Sequence, residues 1–553
     1  MKRAMVAVVA LALCLPLAHA GKLIETGWDH ANPERMRQNL EVMEQTPFQG
    51  LVIQFSGPGV QPGGYSYAHS AEVWDESAIP GIIADLQAVQ PEQLKDRFLQ
   101  VNANPGDVDW FDDAGWEQVV HHWRLAARVA KQGGLTGILF DPEPYREPWR
   151  QFSYAAQPQV AEHSFAGYYA KARQRGREVM TAVAEEFPDL TLFCYFMLSV
   201  TGTAADLDNP IDGLVGHSYG LYPAFIDGWL DVAPETVTLV DGCERAYHFN
   251  SQLDYLSAAN RIRNTCQRLV SPENRRKYRA QTQVSFGVYL DAYANPPDSR
   301  YYIDPGDLTP TQRLQANVAT ALEVADEYVW IYGEQASWWP TPHPRSDQRR
   351  WPELLPGIDA ALWAAASPAG YVERLVEQRG DALVNLFVDG DFSGQTAPPA
   401  EGAATAPDWE QGNAPPGWSF WQAGEAGRPG WDREVGHDAP GSGTLTAVGE
   451  GCLIQSIEVR PGEAYGVSAW RRIQGEGSAT IRVRWQTPEG KWHAEQLDKM
   501  LGTSAPADEW GQMAGLVTVP DGAGKLIVLL GANGQRSDQD VIWWDDVVVF
   551  RAD

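Results

Sequence analysis

The sequence predicts a (β/α)8 barrel followed by an all-β sandwich, and three observations predict it. From Lys22 to Glu334, short β-branched and aromatic runs alternate with longer helical patterns, and eight such runs can be counted. After Arg350 the alternation stops, and from Cys452 onward apolar residues recur at every second position between Pro-Gly, Glu-Gly and Asp-Gly turn signals. A length of 553 residues with 44 % apolar side chains is enough to bury two sizeable cores.

Taken in order, the barrel strands are expected at Leu23–Thr26, Leu51–Phe55, Phe98–Asn102, Gly137–Asp141, Thr191–Met197, Val237–Asp241, Val284–Leu290 and Tyr328–Tyr332. Between them run helical patterns that include Pro33–Glu44, Ala114–Gln132, Phe165–Glu186, Leu253–Leu269 and Leu314–Glu323. Strand-helix alternation calls for a parallel sheet, and eight repeats fit a closed barrel better than an open one. Gly213–Ser218 reads as a loop entering the helix Ala224–Val232. No Gly-x-Gly-x-x-Gly follows the first strand and no Walker loop is present, which leaves a nucleotide-binding sheet without support. Leu354–Gln378 reads as a closing helical segment, which places the barrel at residues 21–378 and the second domain at 379–553. Gly390–Gly451 is rich in Gly, Pro and Ala. The sandwich strands are expected at Leu453–Val459, Ala464–Trp470, Ala479–Trp485, Met513–Val519, Leu526–Leu530 and Ile542–Phe550.

The first twenty residues carry Lys2 and Arg3, an apolar run from Ala4 to Leu17, and Ala18-His19-Ala20 before Gly21. This is the pattern of a signal peptide cut after Ala20, so a secreted or periplasmic protein is expected. No later stretch is long and apolar enough to span a bilayer. With 43 basic against 72 acidic side chains the net charge is −29, with no Lys/Arg-rich run. Nucleic acid and anionic membranes are therefore not expected partners. Cys194, Cys243, Cys266 and Cys452 are too scattered for a disulfide scaffold or a zinc site. One Cys243–Cys266 bridge and four buried thiols both agree with the spacing.

In such a barrel the reacting groups follow the strands at their carboxyl ends. Those positions hold Asp29, Gln54, Asn102 and Asn104, Asp141 and Glu143, Asp241 and Glu244, Asp291, and Glu334. Trp28, Tyr145, Tyr219, Tyr247, Tyr293, Trp338 and Trp339 flank them. A ring of carboxylates among aromatics suits glycoside hydrolysis, which needs one carboxyl to protonate the departing oxygen and one to attack or to activate water. The strongest element is Gly137-Ile-Leu-Phe-Asp-Pro-Glu-Pro-Tyr145, where Asp141 and Glu143 share one face of an extended backbone and their repulsion raises one pKa. Glu143 is the expected general acid. Its expected partner is Glu334 first, then Asp291, then Glu244. Trp28, Asp29, Tyr145, His217, Tyr219, Asp241, Tyr247, Trp338 and Trp339 are expected substrate contacts, with His248 as a further helper. No cofactor is expected for catalysis, because His-x-His and His-Glu-x-x-His spacings are missing.

Through Glu143 after the fourth strand, the chain resembles the secreted (β/α)8 glycoside hydrolases, in many of which that position holds the proton donor. Chitinase-type barrels end this strand Asp-x-x-Asp-x-Asp-x-Glu. Here only Asp141 and Glu143 match, with Thr136 and Leu139 at the earlier acids, so a substrate-assisted mechanism on an N-acetylated sugar is a secondary implication. Gly27-Trp28-Asp29 and Tyr332-Gly333-Glu334 also resemble a group of secreted bacterial barrels with no established substrate.

The second domain resembles the carbohydrate-binding modules of polysaccharide-degrading enzymes. The matching residues are Asn385-Leu386-Phe387-x-Asp389-Gly390-Asp391-Phe392 with Pro416-Gly417-Trp418, Val459-x-Pro461-Gly462-x-x-Tyr465-x-Val467-Ser468-Ala469-Trp470, and Trp544-Asp545-Asp546-Val547. The resemblance implies sugar stacking, with Trp418, Trp421, Trp470, Trp485 and Trp492 as candidates, and a structural calcium at Asp391 and Asp545. A secreted glycoside hydrolase held on its polymer by this module is the leading expectation. A glycan-binding protein on an inactive barrel is the alternative.

Overall fold

A computed structural model of the chain describes residues 21–57, 64–146, 150–340, 349–394, 414–503 and 505–552. The expected signal peptide lies outside the described residues. The chain divides into two compact units, Met1–Ala366 and Ser367–Asp553.

Ten strands of the first unit share one sheet. They are β1 Lys22–Gly27, β2 Gly50–Gln54, β3 Tyr67–His69, β4 Asp96–Pro105, β5 Gly137–Asp141, β6 Thr191–Cys194, β7 Thr238–Asp241, β8 Thr282–Val284, β9 Phe286–Tyr289 and β10 Tyr328–Gly333. Neighbours run β8-β7-β6-β5-β4-β2-β1-β10-β9, with β3 beside the end of β4, and the pairings are parallel. Only Ser285 separates β8 from β9, so the two ends of the sheet meet at one interrupted strand and the barrel is nearly closed.

The interruption corrects the expected continuous strand Val284–Leu290. Ser285 N–H is drawn to the Asp241 carbonyl of β7, after which the chain pairs with β10 on its other side. The expected strand Thr191–Met197 also stops early, at Cys194. Beyond it, Asp241 takes the N–H groups of Met197 and Ser199 and turns the chain into a 3-10 segment, Leu198–Thr201. At Gly137 a Cβ would run into the Thr191 carbonyl, so the approach of β5 to β6 requires glycine there.

Helices surround the sheet, among them Pro33–Met43, Asp113–Gln132, Phe165–Glu186, Tyr222–Val232 and Pro310–Val324. Their starts are written in the sequence: Asn32, Asp112, Ser164 and Thr309 each cap a first turn with a side-chain oxygen. The core fills with β-strand residues such as Leu51, Leu99, Leu139, Phe193 and Ile331, together with large indoles including Trp110, Trp116, Trp123 and Trp229. No helix among the described residues is long and apolar enough to cross a membrane.

The second unit is a sandwich of two antiparallel five-stranded sheets. One sheet runs β11 (Ser419–Gln422), β14 (Glu450–Glu458), β19 (Lys525–Asn533), β16 (Ser478–Gln486), β17 (Lys499–Leu501). The other runs β12 (Arg428–Asp432), β13 (Ser442–Thr446), β20 (Val541–Arg551), β15 (Ala464–Gln474), β18 (Gly511–Thr518). Strands β11 to β13 fall in the Gly-rich stretch where none was expected. The helix Pro368–Arg379, read from sequence as closing the barrel, belongs to this unit. Val372, Leu375 and Val376 pack on Ala514 and Phe550, so the division falls at 366 rather than 378.

Candidate active site

A cavity of about 490 Å³ opens at the carboxyl ends of the barrel strands. Glu143, Glu244 and Glu334 line it, together with Trp28, Tyr145, Tyr195, Tyr247, Tyr289 and Tyr332. Three of the five candidate carboxylates are thereby brought into one space. The remaining two, Asp141 and Asp291, are buried beneath it.

Each buried aspartate holds a cavity glutamate by its backbone. Asp141 Oδ1 accepts the Glu143 N–H at 2.9 Å, and Asp291 Oδ2 accepts the Glu334 N–H at 2.9 Å. Asn104 fixes the segment after β5 from the other side. Its Nδ2 donates to the Glu143 carbonyl at 2.9 Å, and its Oδ1 accepts the Tyr145 N–H at 2.8 Å. Glu244 enters the cavity from the loop after β7, where Cys243 adopts a left-handed backbone, φ 44°, and the Glu244 N–H is donated to the Tyr195 carbonyl. A non-glycine residue in that conformation is costly, and the surrounding contacts must hold it there.

The Tyr145 ring lies open at the cavity mouth, while its hydroxyl turns inward, 2.7 Å from Glu143 Oε2 and 2.9 Å from Asp141 Oδ2. Burial, then the charges of Asp141 and Glu143, push the phenol far up, so it keeps its proton. One phenolic proton serves two acceptors only if one carboxyl carries a proton of its own. Asp141 is that carboxyl, because burial and then the charge of Glu143 push it up to about 8. Asp141 is thus pushed up, whereas the sequence points to Glu143 as the acid. Asp141 ends a wholly buried strand, and Glu143 stands two residues nearer solvent.

Glu244 is also raised well above the ordinary carboxylate range, by burial first and then by the charges of Glu143 and Asp141. Asp291 is pushed up to about 6 by burial, opposed by the N–H groups it accepts. Tyr289 shares a hydrogen bond with Glu334. At the cavity floor Tyr195 stacks on Trp330, with centroids 4.4 Å apart, and its hydroxyl lies 2.6 Å from Thr26 Oγ1. His30 Nε2 accepts the Gly27 N–H, so Thr26 donates to that nitrogen and Tyr195 donates to Thr26. The lone pairs of the Tyr195 oxygen are thereby left to the cavity.

Several expected contacts are elsewhere. Asp29 is buried in a hydrogen-bonded pair with Glu25 and accepts the Trp338 N–H at 2.7 Å. Trp338 and Trp339, expected as a wall for a sugar ring, are buried: the Trp338 ring meets Phe48 edge-on at 4.9 Å, and Trp339 is 1 % exposed. Asp241 spends its oxygens on Met197, Ser199 and Cys243. His217 accepts the Tyr219 N–H and does not line the cavity. Tyr219 is half-buried, and its phenol is raised by burial and then by Glu143. Trp28 and Tyr247 do line the cavity. Tyr195, Ser199, Arg245, Arg261, Arg300 and Tyr301 line it too and were not foreseen, although Arg245 directly follows Glu244. His248, foreseen as a helper, is there as well.

In the sandwich, Trp418 and Trp485 are core residues. Trp418 stacks on Phe392 and donates to the Asp389 carbonyl, and Trp485 donates to the Leu497 carbonyl. Trp470 is covered by His437, at a centroid distance of 3.7 Å. Trp421 and Trp492 are exposed, at 46 % and 52 %. Strand register puts Trp421 on the same sheet face as Cys452, Ile454, Leu529, Arg482 and Arg484, and Arg484 lies 4.3 Å from the Trp492 ring. That face carries two open indoles, two arginines and Asp498, which pairs with both arginines.

For calcium, Asp391 is exposed beside Asp389, whose Oδ2 is buried and finds no hydrogen-bond partner among the described residues. That orphaned oxygen and its acidic neighbour fit a hard cation. Asp545 instead accepts the N–H groups of His437 and Asp546. Cys194, Cys243, Cys266 and Cys452 are free and buried, so Cys243 and Cys266 do not form a bridge.

No family model matches the chain, and no curated protein matches it. Among solved structures it is similar to the enzymatically active domain of a bacteriophage CBA120 tailspike protein, at 17 % identity and TM-score 0.21, covering 24 % of this chain and 19 % of that one. It is similar to a family 16 carbohydrate-binding module, at 13 % identity and TM-score 0.20, covering 25 % of this chain and 93 % of the module. A third likeness is to the module TmCBM61 in complex with β-1,4-galactotriose, at 15 % identity and TM-score 0.20, covering 30 % of this chain and 98 % of the module.

Proposed function

We propose that the first unit is a glycoside hydrolase whose acid and base are Glu244 and Glu143, and that the sandwich holds it on a polymeric glycan. One observation carries this reading: two glutamates share an aromatic-walled cavity at the carboxyl ends of the barrel strands, and the charge of one helps keep the other protonated. Glu244, kept neutral, protonates the departing glycosidic oxygen. Glu143, held by the Tyr145 hydroxyl and anchored through Asp141 and Asn104, supplies the carboxylate that attacks the anomeric carbon or deprotonates the attacking water. Glu334, the first partner suggested by the sequence, is assigned to a substrate hydroxyl, since it is already bonded to Tyr289. Tyr247 and Tyr289, stacked at 5.1 Å, and Trp28 offer faces to sugar rings.

The test is a panel of purified polysaccharides and oligosaccharides, with release of reducing ends measured for wild type, Glu143→Gln and Glu244→Gln. Release by wild type and its loss in both variants supports the reading. Equal release by all three removes it.

A further inference from the structure

We propose that the sugar seated in this cavity carries an anionic substituent, a uronate carboxylate or a sulfate ester, and that Arg245, Arg300 and Arg261 hold it. The inference rests on the glycan reading above and names the substrate class for the same site.

The chain as a whole repels anions, with a net charge of −29, and three glutamates line this cavity. Three arginines nevertheless reach the same space. Elsewhere on the barrel, arginines are spent on carboxylates: Arg37 on Asp85, Arg173 on Asp227 and Asp231, and Arg263 on Asp326. Among the described residues Arg245 and Arg300 have no carboxylate partner, and Arg261 is partly balanced by Asp206. Nor does Arg245 or Arg300 pair with Glu143 or Glu244 among the described residues, and the influences that act on Glu244 all raise it.

The guanidinium of Arg300 lies over the Tyr301 ring at 5.2 Å, and His248 stacks on that same ring, also at 5.2 Å. Burial, followed by the charges of Arg300 and Arg245, holds the His248 imidazole below its ordinary value, which places both arginines around it. Arg245 and Arg261 also border a second cavity of about 250 Å³, so they stand between the two spaces. Arg261 opens a π-helical turn, Arg261–Thr265, an irregularity frequent at functional sites.

A planar guanidinium fork matches the geometry of a carboxylate or a sulfate, and the forks of Arg245 and Arg300, without a carboxylate partner among the described residues, line the cavity where one would sit. The cavity therefore has a cationic side for the substituent and an acidic side for the glycosidic bond.

The test uses the full chain and three matched oligosaccharides: one containing uronate, its carboxyl-reduced neutral counterpart, and a sulfate ester of that neutral sugar. Calorimetric affinity and reducing-end release are measured for each with wild type, Arg245→Gln/Arg300→Gln and Arg300→Lys. The expected result is at least about tenfold tighter binding of one anionic sugar than of the neutral one, weakening with added salt. The double variant removes that preference, and the lysine variant, which keeps charge without the fork, retains part of it. Preference for the uronate or for the sulfate identifies the source of the anion. Binding and release that are equal with the neutral sugar overturn this inference and leave the hydrolase reading standing. Anionic preference without any release overturns the hydrolase reading alone. Absence of both binding and release overturns the two together.

Discussion

Asp141 Oδ1 accepts the backbone N–H of Glu143, two residues further along the chain, at 2.9 Å. The same local turn recurs at the end of β7, where Asp241 accepts the Cys243 N–H, while Asp291 accepts the N–H of Glu334 from 43 residues away in sequence. Strand-end aspartates here turn the chain and aim the next side chain. Glu143 and Glu334 have their own N–H groups held in this way, and Glu244 directly follows the held Cys243.

The Asp141 carboxyl makes stability depend on pH. Its folded value, about 8, lies above the ordinary value of 3.8, so the folded protein keeps a proton that the unfolded chain has released. Its contribution is favourable at low pH and is lost as pH rises towards and through 8. Thermal unfolding of wild type and Asp141→Asn between about pH 5 and 9 should show wild type losing ground relative to the variant up to about pH 8 and running parallel to it above. Curves parallel throughout would show that Asp141 does not carry that proton.

Asn104 is 1 % exposed and bridges Glu143 and Tyr145 by two backbone hydrogen bonds. Asn104→Ala removes both hydrogen bonds from this partly buried segment, and should cost about 1–3 kcal/mol of stability in denaturant titration. Turnover should fall further than the folded fraction explains, because Glu143 is no longer aimed. Turnover that tracks the folded fraction would make Asn104 structural only.

Much of this was legible in the sequence. Six of the eight strand runs and the Asp141-x-Glu143 element stand where alternation and strand-end position put them, because those signals are local, while the fifth run is cut short and the seventh is interrupted. What was not legible depended on long-range neighbours. The burial of Trp338 follows from Phe48 and Asp29, 290 and 309 residues away in sequence. The rank of Glu244 depended on its sharing one cavity with Glu143, from a strand two places along the sheet, which no spacing along the chain encodes. Tyr195 was hidden because the β6 run reads as continuing through it to Met197, whereas Asp241 ends the strand at Cys194.

On the sandwich, Trp421→Ala and Trp492→Ala should each weaken retardation in affinity electrophoresis on polysaccharide gels, using the Glu143→Gln chain to prevent cleavage. Trp418→Ala should instead destabilise by about 3–5 kcal/mol, as expected for a buried ring. Unchanged retardation in both surface variants would take the open indoles out of glycan binding.

Calcium should raise the unfolding temperature of the chain, and Asp389→Asn should abolish the rise by removing the orphaned Oδ2. The same calcium response in wild type and variant would place any cation elsewhere.

The most direct test of the account is a comparison of leaving groups. Turnover of Glu244→Gln and Glu143→Gln is measured on a natural glycoside, whose departure needs protonation, and on an activated aryl glycoside of the same sugar, whose departure does not. Glu244→Gln should lose about 10²–10⁴-fold on the natural glycoside and far less on the aryl glycoside, while Glu143→Gln should lose heavily on both. The reverse pattern, with Glu143→Gln rescued by the activated leaving group and Glu244→Gln not, would contradict the assignment.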